Sequence, residues 1–71
     1  METKREKFVR LAEKRMNGIL KGIDLMKNLS NANNYEYSAE DLSKIVKTLR
    51  SAVNDLEYTY RAGGKTEKFT L

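Results

Sequence analysis

The sequence contains no cysteine, histidine, proline or tryptophan among its 71 residues. The lack of cysteine excludes disulfides and thiolate metal sites, which are the usual supports of a domain this small, and fits a reducing compartment. The lack of histidine removes the commonest general base and the commonest metal ligand. No apolar run approaches the ~20 residues that span a bilayer. We therefore expect a cytoplasmic, non-enzymatic protein without a cofactor, metal, small-molecule substrate or membrane partner.

Two amphipathic segments of similar length occupy most of the chain, and they predict helices over residues 4–29 and 38–61. Each segment starts with a hydroxyl residue, Thr3 or Ser38, that is followed three positions later by a carboxylate. This spacing is typical of a capping box, which satisfies free N–H groups at a helix start. Gly63 follows the second segment and is predicted to end it, because glycine readily adopts the left-handed conformation.

Residues 30–37, between the two segments, are rich in asparagine and predict a turn. Helices of matched length with a short connection favour antiparallel neighbours. We therefore expect an all-α fold, an antiparallel two-helix hairpin over residues 1–62. Residues 63–71 are predicted to form a flexible tail, with docking of Phe69 and Leu71 as the alternative.

The first helix carries an apolar side that is wider than one packing partner requires. At 100° per residue this side covers roughly half of the circumference, whereas one partner needs about 100°. Its residues are Phe8, Leu11, Ala12, Met16, Ile19, Leu20, Ile23, Met26 and Leu29. A chain this short, without disulfides or metals, usually gains stability by oligomerisation. We therefore expect two hairpins to dimerise into a four-helix bundle, with a groove on another protein as the alternative partner.

The second helix carries a narrower apolar side that is close to a heptad repeat. Its residues are Leu42, Ile45, Val46, Leu49, Ala52, Val53, Leu56 and Tyr60. Tyr37 lies just before the cap and five positions before Leu42, a spacing that predicts a hydrophobic staple at the helix entrance.

We predict a partner interface formed by Arg15, Met16, Leu20 and Ile23 of the first helix and Tyr58 of the second. Arg15 lies within the apolar side, where a carboxylate across an interface would fix the register. Alternatively, its stem covers apolar surface while its guanidinium reaches water. Tyr58 points away from the second apolar side. An exposed tyrosine is a modest interface signal, although single exposed aromatic residues are also common on ordinary surfaces.

The basic residues are concentrated in the first helix. Residues 1–27 hold eight Lys or Arg and four Asp or Glu, a net charge of +4, whereas residues 38–61 hold four of each and are neutral. An alternative function is therefore a small nucleic-acid-associated factor, which would use Arg10, Lys14, Lys21 and Lys27. Because an acidic strip runs beside the basic one, a solvated face supported by pairs within the helix is favoured.

Three segments resemble a group of short uncharacterised bacterial helical-hairpin proteins, some of them carried by phages or other mobile elements. The segments are Arg-Leu-Ala-Glu-Lys-Arg at residues 10–15, Asn-Leu-Ser-Asn-Ala-Asn-Asn-Tyr-Glu-Tyr-Ser at 28–38 and Glu-Asp-Leu-Ser-Lys-Ile at 40–45. The resemblance implies a regulator or stoichiometric inhibitor and assigns no functional residue. Together with the apolar sides, it leads us to expect a helical protein–protein interaction module that self-associates or binds a protein partner.

Overall fold

The computed structural model describes residues 1–63, and this part of the chain contains two α-helices and no strand. Helix α1 spans Lys4–Asn28 and helix α2 spans Ala39–Arg61. The all-helical prediction with two helices is therefore confirmed, and the observed bounds lie within one residue of those predicted. The chain divides into two units, Met1–Glu36, which contains α1, and a second that begins at Tyr37 and contains α2.

Helix α1 begins with the predicted capping box. The Glu6 N–H donates to Thr3 Oγ1 over 3.0 Å, and the Thr3 N–H donates to Glu6 Oε1 over 3.0 Å. The two bonds satisfy donors that have no partner inside the helix. The carboxylate in the first turn also interacts favourably with the positive end of the helix dipole.

After α1, Asn31 organises a turn through its side chain and its carbonyl. Its Oδ1 accepts a hydrogen bond from the Asn33 N–H over 3.0 Å. Its carbonyl oxygen accepts from the N–H groups of Asn34 and Tyr35, at 3.1 and 3.0 Å. Short amide side chains favour turns because they can bond to nearby backbone in this way. The turn predicted from the asparagine-rich segment is therefore confirmed.

Helix α2 begins with a second capping box and ends at a left-handed glycine, as predicted. The Asp41 N–H donates to Ser38 Oγ over 3.0 Å, and the Ser38 N–H donates to Asp41 Oδ2 over 3.0 Å. At the other end, Gly63 has a φ of 72° and its N–H donates to the Tyr60 carbonyl over 3.0 Å. The predicted tail of residues 63–71 lies, from residue 64 onward, outside the described residues.

Within residues 1–63 no side chain is buried. Val9, Leu11 and Val46 are half-buried, and the other large apolar side chains of the two helices keep between 37% and 61% of their surface exposed. Because most helical stability in proteins comes from packing of an apolar side, this exposure identifies the surface that a partner would cover. Neither α1 nor α2 has the length and apolar character needed to cross a membrane.

Candidate functional site

The apolar side of α1 presents three of the predicted interface residues within two helical turns. Met16 is 48% exposed, Leu20 50% and Ile23 37%. Their spacing of four and three positions places them on one side of the helix. Each side chain offers an apolar surface to solvent, and together they form one continuous strip.

Arg15 lies beside this strip, between Leu11 and Ile19 on the helix surface. Its side chain is exposed, and it forms no ion pair within the described part of the chain. The guanidinium is therefore hydrated, as the solvent-reaching alternative expects, and the carboxylate partner stays a prediction. A planar guanidinium at this position retains its capacity for a two-bond contact with a carboxylate.

The apolar side of α2 is separated from Tyr58 by much of the helix circumference. Leu42, Leu49 and Leu56 follow one another at seven-residue intervals and are 55%, 45% and 49% exposed. Tyr58 is 57% exposed and lies on the other side, among polar residues such as Ser51. The predicted interface residues of α2 are therefore not one surface, and the leucine row forms the larger apolar area.

The four predicted nucleic-acid residues divide into two that are paired and two that are not. Arg10 binds the Glu2 carboxylate, from Nε over 2.7 Å and from Nη2 over 3.0 Å. Lys27 Nζ lies 3.3 Å from Asp24 Oδ1. Lys14 and Lys21 form no ion pair among residues 1–63. Two of the four charges are thus compensated by carboxylates.

Sequence reasoning missed two contacts near the start of α1. Glu2 received no role, and its separation of eight positions from Arg10 is not the spacing that predicts a pair within a helix. The Arg5 guanidinium lies 5.8 Å from the centre of the Phe8 ring, within the range of a cation–π contact. The three-residue spacing of this second pair is a signal that could have identified it.

Two ionisable groups have displaced pKa values, both for local reasons. The Thr3 backbone N–H, and then its hydroxyl, hold the pKa of the Glu6 carboxyl below its ordinary value. The hydrogen bonds to Glu2 raise the pKa of the Arg10 guanidinium. Neither shift marks an acid–base centre, because hydrogen bonding to the charged form accounts for both. In the described residues, no group of three or more carboxylates could hold a metal ion.

Compared with models of protein families, with curated proteins and with solved structures, the chain matches none. The resemblance over residues 10–45 therefore stays a prediction. The candidate site rests on geometry alone, and its main feature is the exposed apolar side of each helix.

Proposed function

We propose that this chain is a small non-enzymatic helical interaction module that acts by self-association. In this proposal the two helices form antiparallel neighbours, and two copies assemble into a four-helix bundle in the cytoplasm. The observation that carries the proposal is the exposure of the apolar sides of both helices along their full length. An apolar row of this kind usually belongs to an interface, because its burial supplies most of the free energy of helix association.

The size of the chain supports assembly over a monomer. A single core of this size seldom supplies more than ~3–5 kcal/mol of stability, and small natural domains add disulfides, metals or subunits. The chain has no cysteine for a disulfide. A two-fold dimer is the simplest remaining arrangement, since each apolar side then serves twice in the same interface.

A heterologous protein target is compatible with the same surfaces. The resemblance to proteins of mobile elements extends the proposal to a regulator or inhibitor that binds its target through these apolar sides. The nucleic-acid alternative has weaker support, because Arg10 and Lys27 are paired with Glu2 and Asp24. Phosphate binding would have to displace those carboxylates.

Sedimentation equilibrium over a range of protein concentrations tests the proposal. We expect the full chain to dimerise and the Ile23→Asp variant to dissociate, with a Kd raised at least about tenfold, because a buried carboxylate requires a partner. Lys14→Glu is the matched control, since it changes charge on the opposite side of the same helix. A wild-type chain that stays monomeric at high concentration while melting cooperatively would contradict the proposal.

A further inference from the structure

The apolar residues of the two helices contain two rows with the same spacing read in opposite directions. The α1 row has successive separations of three, four, three and four positions, and we name it the α1 seam. The α2 row shows those separations when it is read from its C-terminal end, and we name it the α2 seam. The α1 seam consists of Val9, Ala12, Met16, Ile19 and Ile23, and the α2 seam of Leu42, Val46, Leu49, Val53 and Leu56.

We infer that the α1 seam of one copy packs antiparallel against the α2 seam of a second copy, and that the reverse contact forms by two-fold symmetry. This inference rests on the proposed self-association and specifies its register. No residue of either seam is buried in the described chain, so both seams are available to a second copy. The matched alternation of three and four positions is the spacing that keeps two helices in knobs-into-holes contact.

In this register each α1 residue meets one α2 residue at the same height. Ile23 lies opposite Leu42, and Met16 lies opposite Leu49, so the larger side chains pack together. The smallest seam residue, Ala12, lies opposite Val53. The five layers therefore vary little in total volume, as a close-packed helix interface requires.

Charge complementarity selects the antiparallel orientation. Glu13 directly follows Ala12, and Arg50 directly follows Leu49, so the two lie on the same flank of their seams. Antiparallel packing brings these flanks together, whereas parallel packing would place Glu13 beside the apolar flank of Ile45 and Ala52. Neither Glu13 nor Arg50 has an ion-pair partner within residues 1–63. Two-fold symmetry would form this pair twice.

The opposite flank is complementary in size. There the register places Gly22 opposite Ile45 and Arg15 opposite Ala52, so each larger side chain meets a small residue. A Cβ added at Gly22 would meet nothing within 4 Å in the chain itself. The space beside Gly22 is therefore open to a side chain from another molecule.

The area of the two seams suits a stable dimer. The exposed seam residues keep between 37% and 61% of their surface in solvent. Two symmetric contacts would cover on the order of 1,500 Å² of apolar surface, which lies within the range of specific interfaces. A second copy therefore supplies enough area without any other partner.

Cysteine cross-linking tests the inference directly, since the natural chain has no cysteine. Met16→Cys and Leu49→Cys chains are refolded together in equal amounts and oxidised. Because the two positions share one layer, we expect a disulfide-linked dimer that contains one chain of each kind. Lys14→Cys replaces Met16→Cys in the control mixture and should link only at background level, because it lies on the far side of α1.

The possible outcomes separate the two proposals. A monomer in sedimentation equilibrium overturns both the proposed function and the register. A dimer whose mixed chains do not link overturns the register alone. The same conclusion follows if a chain carrying both cysteines links only to itself and remains a single chain under denaturing conditions. A linked mixed dimer supports the register.

A charge exchange provides a second measurement that leaves the seams intact. At low ionic strength, Arg50→Glu should raise the Kd of the dimer about tenfold, because two like-charge contacts replace two attractive ones. Glu13→Arg combined with Arg50→Glu should restore the wild-type Kd within about twofold. If the double variant is as weak as the single variant, the pairing of Glu13 with Arg50 is wrong.

Discussion

Arg10 and Glu2 form the shortest ion pair in the described chain, with guanidinium-to-carboxylate distances of 2.7 and 3.0 Å. Glu2 precedes the N-cap of α1, whereas Arg10 lies in the second turn of the helix. The pair therefore folds the start of the chain back along α1 and compensates one charge of the basic strip. Its geometry has two parallel donors on one carboxylate, the arrangement that Arg favours.

Removal of the Glu2 carboxylate should expose this charge with little effect on folding. We expect Glu2→Gln to change the helix content and its thermal midpoint only slightly, since exposed ion pairs contribute about 0–1 kcal/mol. Its nonspecific affinity for duplex DNA should increase at low salt, with a steeper salt dependence by up to about one phosphate contact. Fluorescence anisotropy with a labelled duplex measures both effects.

The wild-type chain should bind the same duplex only at low ionic strength. Lys14→Glu serves as the comparison, because Lys14 forms no ion pair within the described residues. If the wild type binds duplex at physiological salt and Lys14→Glu abolishes that binding without altering helix content, a nucleic-acid role is favoured over protein assembly.

Each capping box should contribute measurably to its own helix. Thr3→Ala removes the acceptor for the Glu6 N–H, and Ser38→Ala removes the acceptor for the Asp41 N–H. We expect each substitution to destabilise the assembled chain by about 1 kcal/mol, as seen for helix caps in general. Denaturation followed by circular dichroism provides the measurement. Ser51→Ala, an exposed position in the middle of α2, is the control and should not destabilise the chain.

Helix α1 should lose stability in acid through Glu6. The pKa of Glu6 is lowered in the folded chain, first by the Thr3 backbone N–H and then by its hydroxyl. A lowered folded pKa means that this stabilisation is complete above the unfolded pKa and is lost as pH falls through the folded pKa. Glu6→Gln keeps a hydrogen-bond acceptor for the cap without titrating. Helix content measured between neutral and acidic pH should therefore fall less in Glu6→Gln than in the wild type.

The sequence predicted the features that depend on neighbouring residues. The two capping boxes, the turn at Asn31 and the left-handed Gly63 follow from local hydrogen bonding and backbone preference, and all four are present. The pair between Glu2 and Arg10 could not be predicted in this way, because Glu2 lies before the helix and obeys no helical spacing. Periodicity also identifies which side of a helix is apolar, but it does not specify the molecule that covers that side.

The two helical glycines provide a last test, because they behave alike in the chain and differently in the proposed interface. A Cβ at Gly18 or at Gly22 would meet nothing within 4 Å, so neither glycine is required by contacts within the described chain. Replacement of either by alanine should raise the helix content of α1, since glycine costs up to ~1 kcal/mol relative to alanine in a helix interior.

Self-association should separate the two variants. In the proposed register Gly22 faces Ile45 of the second copy, whereas Gly18 lies about 40° farther from the α1 seam. Gly22→Ala should therefore weaken the dimer although it stabilises the helix, because an added methyl group crowds a packed contact. Gly18→Ala should leave the dimer unchanged or slightly stronger. Equal strengthening by both substitutions in sedimentation equilibrium would mean that no side chain of the second copy packs against Gly22.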